Sequence, residues 1–191
     1  VNTPTHAILN LFLLGKQSLP QGNLTIFFGA ILPDMPIFLF YGWAKLIARL
    51  PEKQIWTETY YEPFWQTVVA IFHSIPLAAI GWLIGYKFGW EKMQIFCLSL
   101  VLHSCLDLPV HNDDAHRHFF PFSNYRFISP ISYWDPKHYG AIVSSVEVLL
   151  VFLATFPVFN LIQSWIGKGL LILVNVVYLV FFCLRLRALT P

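Results

Sequence analysis

Apolar and polar positions divide this chain into long apolar runs joined by two polar connections. A helix that crosses the hydrocarbon core needs about 20 mostly apolar residues. Four runs reach or approach that length: QTVVAIFHSIPLAAIGWLIGY (66–86), MQIFCLSLVLHSCLDLPV (93–110), AIVSSVEVLLVFLATFPVF (141–159) and GLLILVNVVYLVFFCL (169–184). A fifth, LTIFFGAILPDMPIFLFYGWAKLIARL (24–50), is long enough but carries Pro33-Asp34-Met35-Pro36 at its middle. Proline removes a backbone donor and crowds the preceding turn. This run is therefore predicted to form two half-helices with an irregular, polar joint. HAILNLFLLG (6–15) is too short to span and predicts a buried or interfacial helix. The expected fold is all-α: a single integral-membrane domain over 1–191, a polytopic bundle of about 4–6 segments, with a broken helix around Pro33–Pro36.

The polar connections differ in character. Residues 51–64, PEKQIWTETYYEPF, are acidic and aromatic, and 111–138 form the longest polar stretch. A polar loop of that length inside a compact domain usually carries function. No internal repeat and no low-complexity tract interrupts the pattern.

Composition agrees with a membrane chain: 57% of residues are hydrophobic and 12% are charged, against about 25% charged in soluble domains. A net charge of +2 with no basic run gives no footing for nucleic acid. Cys97, Cys105 and Cys183 lie in apolar runs without a CxxC pair, and read as small hydrophobes. The N-terminal stretch lacks the basic region and small-residue cleavage site of a removable signal peptide. If the spans alternate, Lys53, Arg117, Arg126, Lys137, Arg185 and Arg187 fall on one side, and Lys16, Lys87, Lys92 and Lys168 on the other. The positive-inside rule then puts the 111–138 loop in the cytoplasm.

Against this background the titratable groups stand out. Between His103 and His118, HSCLDLPVHNDDAHRH holds four His and three Asp. A charge at the bilayer centre costs at least ~2.5 kcal/mol on insertion scales, so such groups need partners, and a bound cation is the strongest. His103 and Asp107, four apart, share one helix face; they suit a metal ion, or a hydrogen bond that staples helices. Asp34, between two prolines, cannot be hidden in a regular helix. His73 sits alone in an apolar run, as a ligand or a packing residue, and His6 follows Thr-Pro-Thr, as a ligand or a helix start. Glu147 is the only acid of 141–159; it faces the cluster as ligand or general base, or bonds Ser144 or Ser145 locally. Arg117, Arg126 and Lys137 share the loop with the acids, where they suit a substrate phosphate, the neighbouring carboxylates or anionic lipid headgroups. There is no HExxH, P-loop or G-x-S-x-G motif.

The order of motifs resembles a family. Thr-Pro-Thr-His (His6), Leu-Pro-Asp (Asp34), His-Ser (His73) and HxxxD (His103, Asp107) over residues 3–140 are similar to the membrane-bound metal-dependent hydrolases of the YdjM-type inner-membrane proteins. That family is distantly similar to zinc-dependent phospholipase C and the P1-type nucleases. The resemblance implies that His6, Asp34, His73, His103 and Asp107 hold metal, zinc above other divalent ions, in a bacterial-type inner membrane. It departs at Met35-Pro36-Ile37, where the family has a second acid or His, and at VVAIFHS, where it has His-Arg-Gly before the His-Ser.

These readings together give an expected function. It is metal-assisted hydrolysis of a phosphoester of a membrane lipid or lipid-linked substrate. His111, His116 and His118 complete the site or orient its ligands, an Asp of the 113–114 pair serves as general base, and Arg117 or Arg126 holds the phosphate. Two alternatives stand beside it. One is a non-catalytic membrane accessory or assembly protein with a structural His/Asp metal site. The other is a small ion or metabolite carrier with a path through Asp34, His73 and Glu147.

Overall fold

The computed structural model describes residues 1–17 and 19–189, with the backbone alone at Pro20 and 185–189. The side chains of Arg185 and Arg187, counted in the charge asymmetry, lie outside the described residues. Among the described residues every regular element is helical, as predicted: α1 (Thr3–Leu14), α2 (Pro20–Ile31), α3 (Met35–Gly42), α4 (Glu52–Thr57), α5 (Pro63–Phe72), α6 (Ile75–Lys87), α7 (Glu91–Asp107), α8 (Gly140–Leu161) and α9 (Trp165–Leu189). Four helical stretches are long and apolar enough to cross a membrane: Gln21–Ile47, Glu91–Val110, Gly140–Leu161 and Trp165–Leu184. The α5–α6 pair makes a fifth if counted as one bent span.

The expected break at Pro33–Pro36 takes a milder form than two separated half-helices. Leu32–Asp34 make one 3-10 turn, α3 follows at once, and Gln21–Ile47 runs on as one span. Pro33 and Pro36 each fall in the first turn of a helical segment, where a missing N–H leaves no bond unmade. The sharper bend lies inside 66–86, read from the sequence as one unbroken span. There α5 and α6 meet at 40° across His73–Ser74. Ser74 Oγ caps α6 by accepting from Leu77 N at 3.1 Å, and Pro76 follows in the first turn. The long polar loop braces this elbow, with Ile75 N donating to His118 O at 2.9 Å and Ser74 Oγ to Phe120 O.

The short N-terminal helix is buried, one of the two fates its length predicted. Every residue of α1 from Thr5 to Leu11 is buried. Ile8, Leu9 and Leu11 share a core with Ile26 of α2, Val151, Ala154 and Val158 of α8, and Leu171 of α9. Twelve residues extend about 18 Å, little over half of a ~30 Å hydrocarbon core. His6, at the end of the first turn of α1, is fully buried.

A polar ladder sets the register of α1, α2 and α7. Asn10 Nδ2 donates to Ser99 O and to Ser99 Oγ, both at 2.8 Å, and Ser99 Oγ donates to Ile26 O at 2.7 Å. Four residues along each helix stand His6, His103 and Ala30, and His103 Nδ1 donates to Ala30 O at 2.7 Å. The His6 and His103 rings stack at 3.6 Å between centroids. Gly29 lets the helices approach this closely: a Cβ there would lie 2.7 Å from Phe96 O and 2.8 Å from Ser99 Cβ. Small residues at such crossings are how membrane helices pack. Asn10→Ala should lower stability by about 1–2 kcal/mol, read as a fall in the thermal midpoint in detergent; an unchanged midpoint would show the ladder to be idle.

Candidate metal centre

Five polypeptide segments deliver imidazoles and carboxylates to one buried point. The first turn of α1 supplies His6, the 3-10 turn supplies Asp34, and the α5–α6 elbow supplies His73. The last turns of α7 supply His103 and Asp107, and the following loop supplies His111 and His116. Asp107 is the hub. Its Oδ1 lies 2.9 Å from His6 Nε2 and 3.1 Å from His111 Nε2, and its Oδ2 lies 3.0 Å from His103 Nε2 and 3.9 Å from His73 Nε2. Asp34 Oδ1 lies 3.6 Å from His103 Nε2 and 3.7 Å from His73 Nε2. The main-chain nitrogen of Val1 also reaches Asp107 Oδ1, at 2.9 Å. Two sets of ligand atoms each fall within 4.8 Å of one another: His6, Asp34 and His103, and His73, Asp107 and His116.

Hydrogen bonds behind the rings fix which nitrogen faces inward. His73 Nδ1 lies 2.9 Å from Val69 O and His103 Nδ1 lies 2.7 Å from Ala30 O. A carbonyl only accepts, so Nδ1 of each ring carries a proton and Nε2 is the nitrogen left to face the carboxylates, as a lone pair in the neutral ring and as a second N–H in the imidazolium. Both Nε2 atoms face the Asp34 and Asp107 carboxylates, and neither makes a hydrogen bond of good geometry among the described residues. Both imidazoles and Asp107 are buried. An imidazole nitrogen held against carboxylates away from water needs a positive charge between them, a proton or a bound cation. An imidazole that donates its other N–H to a carbonyl is also the usual arrangement behind a metal-ligating His. Thr3 Oγ1 donates to Asp34 Oδ2 at 2.6 Å, which orients that carboxylate, and Ser104 Oγ donates to His73 O at 2.9 Å. The residues present therefore fit a cation, and the cluster can hold a metal ion.

The polar loop closes the centre from one side. His111 Nδ1 pairs with Asp114 Oδ2 at 3.0 Å, and Trp134 Nε1 donates to the same oxygen at 3.1 Å. Burial disfavours the charged form of His111, but the Asp107 charge and the bonds to Asp107 and Asp114 outweigh it and raise its pKa to about 9. Burial dominates at His116 and His118, holding the first well below the usual imidazole range and the second at about 4. Both are neutral imidazoles at physiological pH, the form that binds metal. His116 sits against the His73 ring at 4.1 Å between centroids. His118 Nδ1 is 3.3 Å from His73 O, so His118 supports the elbow that carries His73.

Other residues singled out from the sequence take different places. Glu147 is buried, but its Oε1 accepts from Asn2 N at 2.8 Å, Asn2 Nδ2 at 3.0 Å and Thr5 Oγ1 at 2.5 Å. It anchors the start of α1 and belongs to neither ligand set. Asp113 is exposed, whereas Asp114 is turned toward His111. The arginine forks are spent on the protein: Arg117 on Asn124 and Thr67, Arg126 on Gln66 Oε1 and Ala115 O. Lys137 is exposed. Thr3, Asn10, Ser99 and Ser104 were missed; only Asn10, an amide within an apolar helix, left a signal that the hydropathy pattern displays.

Fold and cluster together define a class: an all-helical, membrane-type bundle with a buried His/Asp centre able to hold a metal ion. No family model matches the chain, and no curated protein or solved structure is significantly similar to it.

Proposed function

We propose that this protein is an integral-membrane hydrolase that uses a divalent metal, zinc by preference, to cleave a phosphoester of a lipid or lipid-linked substrate. One observation carries the metal part: the Nε2 atoms of His73 and His103 are both held toward two buried carboxylates without a hydrogen bond of their own. Imidazole nitrogen and carboxylate oxygen are the donors that zinc prefers at catalytic sites. His6, Asp34, His73, His103, Asp107 and His116 would hold the metal. A divalent ion bound there supplies Lewis acidity toward a phosphoryl oxygen and lowers the pKa of water toward ~7.

The chain's own groups supply the rest. His111, raised to a pKa of about 9 by Asp107 and Asp114, carries a proton at physiological pH and is placed at the edge of the centre as a general acid for the leaving oxygen. Arg117 and Arg126 shape the loop that covers the centre. Reaction class and an inner-membrane setting rest on the resemblance to the YdjM-type proteins, and the lipid substrate rests on the position of the centre among membrane-type helices.

A second reading, a closed structural metal site, is favoured by the burial of His73, His103 and Asp107. The test is zinc-reconstituted protein after chelator treatment, assayed on bis(p-nitrophenyl) phosphate and on phospholipid in mixed micelles. We expect zinc-dependent turnover that falls about 10²–10⁴-fold in His111→Phe, the range of a lost acid–base group. Zinc bound at stoichiometry without turnover of either substrate would leave the structural reading.

A further inference from the structure

A groove runs along the outside of α1, walled by α2, α8 and α9. It encloses 640 Å³ and its walls are almost wholly apolar. Each helix contributes a stripe: Ala7, Ile8 and Leu11 from α1, Leu24, Phe27 and Ile31 from α2. The end of α8 and a matching stripe of α9 around Leu170 and Val174 make the third and fourth walls. Such helical spacing ordinarily marks a face that packs against another helix. Here the face is not filled. Leu24, Phe27 and Leu170 are exposed.

Two features say what fills it. First, three of its four walls are membrane-spanning helices, so the groove opens on hydrocarbon, and it is continuous with the lipid-facing surface of α9, whose span is only 6% buried. Second, its end abuts the metal centre. Thr3 lines the groove and its hydroxyl donates to Asp34 Oδ2. On the other wall Ile31 is the last residue before the turn that carries Asp34. From Thr3 to Leu11 the groove follows α1 for about 12 Å. An occupant thus needs a slender apolar chain in the groove and an anionic head at a centre built for a cation.

We propose that this groove seats one hydrocarbon chain of a membrane phospholipid whose phosphoester lies at the metal centre. The inference rests on the hydrolase reading for the head of that lipid, and adds the subsite for its tail. A lipid of the leaflet on the 107–139 side meets the centre with its head toward that side. Its tail then descends along α1, the orientation it already has in the bilayer.

The test uses the full chain in phosphatidylcholine nanodiscs, loaded with zinc. The probe is a phosphatidic acid with a diazirine near the end of one acyl chain, beside a fatty alcohol with the same diazirine. After irradiation, labelled residues are mapped by mass spectrometry. We expect labelling of the α1, α2 and α9 stripes, about tenfold stronger with the phosphatidic acid than with the alcohol. We also expect that excess to vanish in His103→Ala/Asp107→Ala. Leu170→Trp, which fills the groove from α9, should lose groove labelling while its zinc content stays at the wild-type value. Equal labelling by both probes, or labelling that ignores the double substitution, would mean bulk lipid in the groove and overturn the proposal. So would phosphatidic-acid labelling confined to α5–α6, or cross-links to a second copy of the chain. The hydrolase reading fails separately, on absent turnover of bis(p-nitrophenyl) phosphate, a substrate with no chain to seat.

Discussion

Protein carrying His103→Ala together with Asp107→Ala is expected to purify without stoichiometric metal, whereas the wild type carries at least one divalent ion per chain. Asp107 touches His6, His73, His103 and His111, and His103 bridges Asp107 to Asp34. Removing the pair takes one ligand from each set and leaves His73–Asp34, at 3.7 Å, as a contact between them. Loss of a single supporting partner costs about 10–100-fold in metal affinity, so loss of two ligands should exceed that. Both are changed together because a carboxylate left buried without its partner destabilises by several kcal/mol, roughly 3–5. That penalty would confuse metal loss with unfolding. Elemental analysis beside circular dichroism reads the result. A helical double variant that retains wild-type zinc would place the metal elsewhere, and a wild type without divalent metal would remove the hydrolase reading.

Gly29→Leu is expected to damage the centre without touching a ligand. A Cβ at this position meets Phe96 O and Ser99 Cβ at 2.7 and 2.8 Å, so α2 and α7 must separate. Separation breaks the bonds from Ser99 Oγ to Ile26 O and from His103 Nδ1 to Ala30 O. Overpacking costs about 1–3 kcal/mol, and each lost bond adds about 1 kcal/mol. Metal affinity should fall at least tenfold, because His103 loses the acceptor that fixes its tautomer. Gly42→Leu is the control, since a Cβ there meets nothing within 4 Å. If both substitutions weaken zinc binding equally in a competition titration, the close approach at Gly29 does not support the centre.

How far the sequence revealed this arrangement depended on which atoms carry it. Side-chain ligands were visible: His6, Asp34, His73, His103 and Asp107 stood out because titratable groups are costly among apolar residues. The groups that orient them were not, because Val69 O and Ala30 O are backbone atoms that every residue possesses. The apolar count also misplaced the sharpest bend. It weighed Pro33 and Pro36, which fall harmlessly in first turns, above His73-Ser74-Ile75-Pro76, where a capping serine and a proline end one helix and start the next. Glu147 was ambiguous for a different reason. Its partners, Asn2 and Thr5, lie more than a hundred residues away, and no local spacing announces them. The acids of the loop divided likewise, with Asp114 folded inward onto His111 and Asp113 left at the surface.

The ladder between α1, α2 and α7 also bears on the carrier alternative. Transporters expose a site to each side of the membrane in turn by rocking or unwinding the elements that hold it. Here Asn10, Ser99 and Ile26 O are riveted one helical turn from His6, His103 and Ala30 O, so sliding α7 past its neighbours by a turn would shear both rows at once. These three helices therefore hold one register. The α5–α6 elbow is tied in turn, through Ser104 Oγ to His73 O and Ile75 N to His118 O. That is the anatomy of a fixed frame pinned on several sides, not of a gate that opens to the two faces of a membrane in turn.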